Sequence, residues 1–356
     1  MNPLEHQLQY PYGETLPAPG EALEVADGVL WVRLPLPFAL DHVNVWLVRD
    51  EYEGRKGWTL IDCGIARDEV KALWEQVFDS ALQGLPIVRV LVTHMHPDHV
   101  GLADWLCERW QAPLFMSMTD YALARLWARP DSRGSAAGGE QAVAHYARHG
   151  LVDADSQQKI RERATYYSGL VPSVPATFHR LMHGYSLRIG GRDWKLLVGH
   201  GHAPEHISLY DPQTNLVVSG DMVLPRISTN VSVFDMEPDA NPLQLYLDSL
   251  SNYDGLPADA LVLPSHGRPF VGLHERIAQQ HDHHADRLAD VIQACGERPC
   301  SASDIVPVLF RRKLDLHQMT FAMGEALAHL HALYFQGRLG RQTGADGIVR
   351  FTTIPS

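Results

Sequence analysis

Apolar and polar positions come in short strand-length blocks over the first part of the chain. Gly28 to Leu34, Val43 to Val48 and Trp58 to Asp62 are β-rich runs parted by turn residues, the texture of an antiparallel meander, with Gly54 to Gly57 as the turn between the last two. The period changes from Asp68 to Leu82. There Val70, Leu73, Trp74, Val77 and Phe78 recur at helical spacing and predict an amphipathic helix. Pro86 opens a further apolar run that ends at Val92, Ala103 to Trp110 predicts a helix, and Pro113 to Met116 a short strand. Strands and helices in this order suit a layered α/β domain.

Between Thr119 and about Phe178 the pattern becomes helical and polar around a breaker cluster at Pro130 to Gly139, and it holds Tyr121, Tyr146, Tyr166 and Tyr167. This is a helical insertion (119–178) that either covers a site as a lid or wall or stands remote from it. Strand texture returns at Tyr185 to Ile189, Trp194 to Val198, His206 to Tyr210, Leu216 to Ser219 and Ala260 to Pro264. A long helix is then predicted from about Leu273 to Cys295, with Leu273, Ile277, Leu288, Val291 and Ile292 on one side. Its His281, His283 and His284 have no carboxylate at useful spacing and are assigned to a solvated or interface face. Beyond Gly296 the pattern predicts helices at Ser303 to Phe310 and His317 to Phe335, then a glycine-rich β-hairpin at Arg338 to Phe351. The expected organisation is an N-terminal arm (1–24), a main domain (25–295) carrying the insertion, and a small C-terminal domain (296–356).

Composition narrows the class. The 356 residues are 45% hydrophobic and 20% charged, ordinary values for a globular chain with a sizeable core. A formal net charge of −12 argues against a general affinity for nucleic acid or anionic membrane. Neither a signal-peptide succession nor a bilayer-length apolar run is present, so the expectation is a cytoplasmic chain without membrane contact. Cys63, Cys107, Cys295 and Cys300 match no common zinc spacing and are expected to be free or buried thiols.

The candidate chemistry sits at strand ends. The run Val90-Leu91-Val92 stops in Thr93-His94-Met95-His96-Pro97-Asp98-His99, which puts three histidines and an aspartate within six residues of a strand's C-terminal end. His94 and His96 can face one ion if the turn curls around it, and Asp98 and His99 can serve a second on its other side. Pro97 stiffens the turn. Three later apolar runs end the same way: Val198 before His200-Gly201-His202, Val218 before Asp221, and Leu263 before His266. A site assembled at one edge of a sheet requires such repeated placement.

His94-Met95-His96-Pro97-Asp98-His99, Gly201-His202-Ala203-Pro204-Glu205-His206, Ser219-Gly220-Asp221 and Pro264-Ser265-His266-Gly267 together resemble the metallo-β-lactamase-fold hydrolases over residues 25 to 295. The resemblance implies an α/β fold, an αββα sandwich with a dinuclear site at one edge, here with a helical insertion and a small winged-helix-like C-terminal domain. It places His94, His96 and His202 on one metal, Asp98, His99 and His266 on the other, and Asp221 between both. His200 and His206 flank His202 and are its rivals, with His206 otherwise supporting the site. A helix cap is the alternative for Asp221. Asp62 resembles the family's supporting Asp-x-Gly turn. Zinc is the expected metal, with manganese or iron as alternatives.

Three neutral imidazoles leave an open position on an ion, and the carboxylates offset the charge of two close dications. The implied reaction is hydrolysis by a hydroxide held between the ions, with Asp98 and Asp221 in catalytic roles and Asp98 orienting the nucleophile. True β-lactamases generally lack the counterpart of Asp221, whereas glyoxalase II enzymes and N-acyl-homoserine lactonases have the full set. The C-terminal tail resembles a winged-helix appendage more than the glutathione-binding helices of glyoxalase II. The substrate expected is therefore a small acyl compound, either a thioester such as acyl-CoA or hydroxyacylglutathione, or a lactone. A metal-dependent phosphodiesterase or ribonuclease using the C-terminal domain is the alternative. A redox module is the third class; diiron relatives with flavodoxin partners carry Glu in place of His96, and no such domain follows. Nucleic acid and membrane are not expected as partners, and a homodimer is left open.

Overall fold

The computed structural model describes residues 2–129, 138–312, 314 and 316–354; most of the Pro130 to Gly139 breaker cluster lies outside the described residues, as does Lys313. Two sheets face one another. The first contains β1 (Ala22–Ala26), β2 (Val29–Pro35), β3 (His42–Tyr52), β4 (Arg55–Ile61), β5 (Ile87–Leu91), β6 (Leu114–Met116) and β7 (His179–Arg180) in sequential order. Its first four strands form the antiparallel meander, and the rest add in parallel. β8 (Ser186–Ile189), β9 (Arg192–Gly199), β10 (His206–Asp211), β11 (Leu216–Gly220) and β12 (Leu261–Pro264) make the second, antiparallel except for β11 with β12.

Alternation along the strands sets the layers. On β3, Trp46 and Val48 point between the sheets and meet Trp194, Leu196 and Ile207, while Val43, Val45 and Leu47 point outward. The outward face is covered by α1 (Asp68–Ser80) and α3 (Ala103–Trp110), with the one-turn α2 (Pro97–Val100) at the sheet's end. β11 divides likewise, Val218 inward and Val217 outward. The result is the expected αββα sandwich.

The insertion is helical: α4 (Met118–Trp127), α5 (Gly139–Arg148), α6 (Ala154–Glu162) and α7 (Tyr166–Leu170). α8 (Pro242–Ser249) and α9 (Leu273–Glu297) cover the second sheet, and the C-terminal part adds α10 (Ala302–Leu309), α11 (Leu316–Phe335) and the hairpin β13 (Leu339–Thr343) with β14 (Val349–Thr353). A Ser301–Asp304 capping box starts α10. These helices share one core with α5 and α6, where Tyr146 and Ile160 pack among Ile305, Leu327 and Leu330. The insertion therefore runs from the first sheet to the C-terminal helices.

Two local readings gain detail. The arm is more than a surface strap, because Leu8 is buried and Gln9 pairs with Val271 through reciprocal bonds of 3.0 and 2.8 Å. His284 does not face solvent; it is buried against α11, its Nδ1 3.3 Å from His329 Nε2. The helical spacing of α9 left a solvated or an interface face open, and packing of α11 on it decides for the interface. All four cysteines are free and buried. No helix among the described residues is long and apolar enough to cross a membrane.

The sheets are clasped by a buried ion pair. Arg89 on β5 and Asp50 on β3 are almost wholly out of water and bonded to each other. Asp50 also accepts from Thr59 Oγ1 at 2.6 Å and from Gly190 N, in the second sheet, at 2.7 Å. Arg89 donates to Arg188 O in that sheet at 2.7 Å.

Candidate metal centre

The chain turns sharply where β5 ends, with Pro97 opening α2, so that His94, His96, Asp98 and His99 surround one point. His202 arrives from the turn after β9, Asp221 from the end of β11 and His266 from the end of β12. Both sheets therefore contribute. His94, His96, His202 and Asp221 offer one ligand atom each within 4.8 Å of one another, and Asp98, His99 and His266 do the same. All seven expected residues are brought together.

Asp221 lies between the two groups. Its Oδ2 is 3.3 Å from His202 Nε2 and 3.4 Å from His266 Nε2, and its Oδ1 is 3.7 Å from His99 Nε2. Asp98 Oδ2 stands 3.5 Å from both His99 Nε2 and His266 Nε2. His94 Nε2 is 2.9 Å from His96 Nδ1 and 3.2 Å from His202 Nε2.

Partners behind the rings decide which nitrogen faces inward. His202 Nδ1 donates to Asn230 O at 2.8 Å and His266 Nδ1 to His42 O at 2.7 Å. A carbonyl only accepts, so each ring keeps its proton on Nδ1 and turns an Nε2 lone pair to the centre. His99 Nδ1 is 2.8 Å from Asp62 Oδ2. Thr93 Oγ1 donates to the same carboxylate and is 3.0 Å from His94 Nδ1, which orients that ring in turn. His96 is the exception, with Nδ1 inward.

Convergent lone pairs and carboxylates need positive charge, so the donor set fits divalent cations. His99 Nε2 and Asp221 Oδ1 are buried with no hydrogen-bond partner among the described residues, as expected of atoms reserved for a metal. The electrostatics agree. Burial, then neighbouring imidazoles, holds His94 well below the usual histidine range and His96 at about 3, which keeps both neutral. Burial opposes ionisation of Asp221, yet the His266 and His99 rings outweigh it and pull the carboxyl well down. Asp98 is drawn to about 2 by His99 against the same burial. Burial disfavours charge on His99, but Asp98, Asp62 and Asp221 overcome it and raise the ring well above its ordinary value. A proton there does what a cation does better.

His206 and His200 are not among the converging groups. His206 Nε2 accepts from Asp221 N at 3.0 Å and so fixes the backbone of the shared carboxylate. Gly220 makes that approach possible: its φ is +55°, and a Cβ would lie 2.3 Å from the His206 ring. His200 Nδ1 bonds Pro204 O at 2.6 Å. Asp62, itself at φ 64°, supports Thr93 and His99 as its turn suggested.

Other supporting residues escaped the sequence reading. Asp120 on α4 is fully buried and accepts from Met95 N at 2.9 Å and Glu205 N at 2.7 Å, tying the two ligand loops together. Burial pushes its carboxyl up to about 6, against those two bonds. The one available signal, Ser117-x-x-Asp120 before a helix, reads as a cap. Tyr167 on α7 donates to Met95 O at 2.6 Å, so the insertion forms a wall of the ligand turn.

The model of the Metallo-beta-lactamase superfamily matches residues 39–266, and that of the Metallo-beta-lactamase-like, C-terminal domain matches residues 288–354. A beta-lactamase domain protein from Burkholderia ambifaria is 53% identical, with a TM-score of 0.93 over 99% of this chain and 100% of its own. A metallo-beta-lactamase family protein from Thermus thermophilus is 26% identical, TM-score 0.74, over 93% of this chain and 100% of its own. The probable metallo-hydrolase YqjP of Bacillus subtilis is 25% identical over 332 residues, 86% of this chain and 92% of its own. With its seven converging donors at one edge of an αββα sandwich, the chain belongs to the metallo-β-lactamase superfamily of metal-dependent hydrolases.

Proposed function

We propose that the protein is a dinuclear hydrolase of a small acyl substrate, a thioester or a lactone, with zinc as the resident metal. The observation that carries the reading is the position of Asp221, one carboxylate within 3.7 Å of nitrogens from both donor groups. His94, His96 and His202 would hold one ion, Asp98, His99 and His266 the other. Two such ions lower the pKa of bound water to roughly 7 and polarise a carbonyl. The remaining work falls to this chain. Asp98 is the more exposed of the two carboxylates, 18% against 8% for Asp221, and it is the residue assigned to take a proton from water and return it to the leaving group. Asp221 stays ionised, and Asp62, Thr93, His42 and Asn230 fix the rings. Asp120 and Tyr167 hold the ligand loops closed against water.

The phosphodiesterase or ribonuclease reading is less well supported. In the C-terminal part Arg341 is bonded to Asp239 at 2.7 Å and Arg350 to Asp346 at 2.7 Å, so two of its few cations are already paired. A small-molecule substrate is accordingly the expected partner. The test is turnover by zinc- or manganese-loaded protein of a thioester, an N-acyl-homoserine lactone, a nitrocefin-type lactam, bis-p-nitrophenyl phosphate and single-stranded RNA. Thioester or lactone turnover that stops on chelation and returns with metal is expected. Turnover confined to phosphodiester or RNA would overturn the proposal.

A further inference from the structure

We propose that the C-terminal domain is a working part of the metal centre, with Glu325 on α11 acting through Asn230 as a positioning residue for His202. The inference rests on the metal reading above. His99, His266 and His94 are backed by Asp62, His42 and Thr93, all in or next to the first sheet. His202 is different. Its Nδ1 leans on a single carbonyl, Asn230 O, in a segment between β11 and α8 that forms no helix or strand. A ring so held is only as well placed as that segment.

The segment is fixed from the C-terminal side. Asn230 Nδ2 donates to Glu325 Oε2 at 3.3 Å, and Asn230 Oδ1 accepts from Ser232 Oγ at 2.9 Å. One residue further, Val233 N donates to Gly324 O at 3.1 Å. Helix and segment touch closely there: a Cβ on Gly324 would lie 2.6 Å from Ser232 Cβ. Val231 and Val233 are fully buried beside Met323 and Leu327 in the core that the C-terminal helices share. Glu325 thus stands behind Asn230 as Asp62 stands behind His99, one link further from the ring. Glu325 is half-buried, and burial raises its carboxyl to about 7 against the pull of Asn230 and Arg287.

Removing a partner that orients a ligating histidine typically lowers metal affinity about 10–100-fold. The test is titration of the metal-free full chain with cobalt(II), followed by visible absorption and calorimetry. Wild type is expected to take up two equivalents. Glu325→Ala should weaken one of the two ions about 10–100-fold and leave the other at its wild-type affinity. Glu325→Gln keeps an acceptor for Asn230 and should restore binding to within a few-fold. Asn230→Ala, which retains the backbone carbonyl, should reproduce the loss, and the double variant should add nothing to it. It also carries the test if circular dichroism shows Glu325→Ala unfolded. Wild-type affinities in both single variants, or equal weakening of both ions, would overturn the inference and leave the metal reading standing. A wild type that takes up fewer than two equivalents would overturn that reading itself.

Discussion

Asp221→Ala is expected to lower kcat/KM on the best substrate by roughly 10²–10⁴ and to leave the protein holding at most one ion tightly. The reason is charge. Two dications held side by side by these donors would repel with four times the energy of unit charges at the same distance. Asp221 is the carboxylate that reaches nitrogens of both donor groups, so it is the one that would offset that repulsion. Asp98, beside His99 and His266, serves one side. Loss of a buried charged partner costs about 3–5 kcal/mol, which sets the range in rate. The Asp221 backbone N–H still reaches His206 in the Ala variant, so the strand end keeps its place. Elemental metal content and steady-state rates decide the matter together. Two retained equivalents with a near-normal rate would show that the carboxylate is not shared.

The largest effect on stability is expected far from the centre. Asp50→Ala strands the Arg89 guanidinium between the sheets, where its side chain is 3% exposed, and leaves Gly190 N and Thr59 Oγ1 without their acceptor. Breaking a buried pair by removing one partner costs about 3–5 kcal/mol. At roughly 1–2 °C per kcal/mol for a chain of 356 residues, Tm should fall by about 3–10 °C, read by differential scanning calorimetry on the metal-free protein. Replacing both partners together, Asp50→Leu with Arg89→Met, should recover much of the loss, because no uncompensated charge remains. A single-variant shift under about 3 °C would mean that water reaches the guanidinium once the carboxylate is gone. The clasp also bears on chemistry: one sheet carries four of the seven donors and the other three, so the spacing between sheets is a dimension of the metal site.

The seven donors were legible because each follows an apolar run. A strand ends where its side chains stop alternating into a core, and His94, His202, Asp221 and His266 stand at four such ends. Layer order was legible for the same reason, through the period change at Asp68 and the return of strands at Tyr185. What escaped reading lies behind the donors. Asp120 meets Glu205 across 85 positions and Asn230 meets Glu325 across 95, and no local spacing encodes such contacts. Whether His284 faces solvent or an interface stayed open because α9 is amphipathic on its own terms, while the helix that covers it, α11, is set by tertiary packing. Substrate preference is hidden for a related reason, since the insertion touches the centre through side chains such as Tyr167 that any helix can present.

The division of the donors between two sheets also sets an order of assembly. His94 to His99 belong to a segment made well before His266, and closing so long a loop is an entropic cost met by packing the sheets, not by coordination. An ion that needs donors from both sheets would bind the folded arrangement and stabilise it by mass action once both sheets are in place. Metal-free protein is therefore expected to melt at a lower temperature than protein given a divalent cation, a difference that calorimetry reads directly.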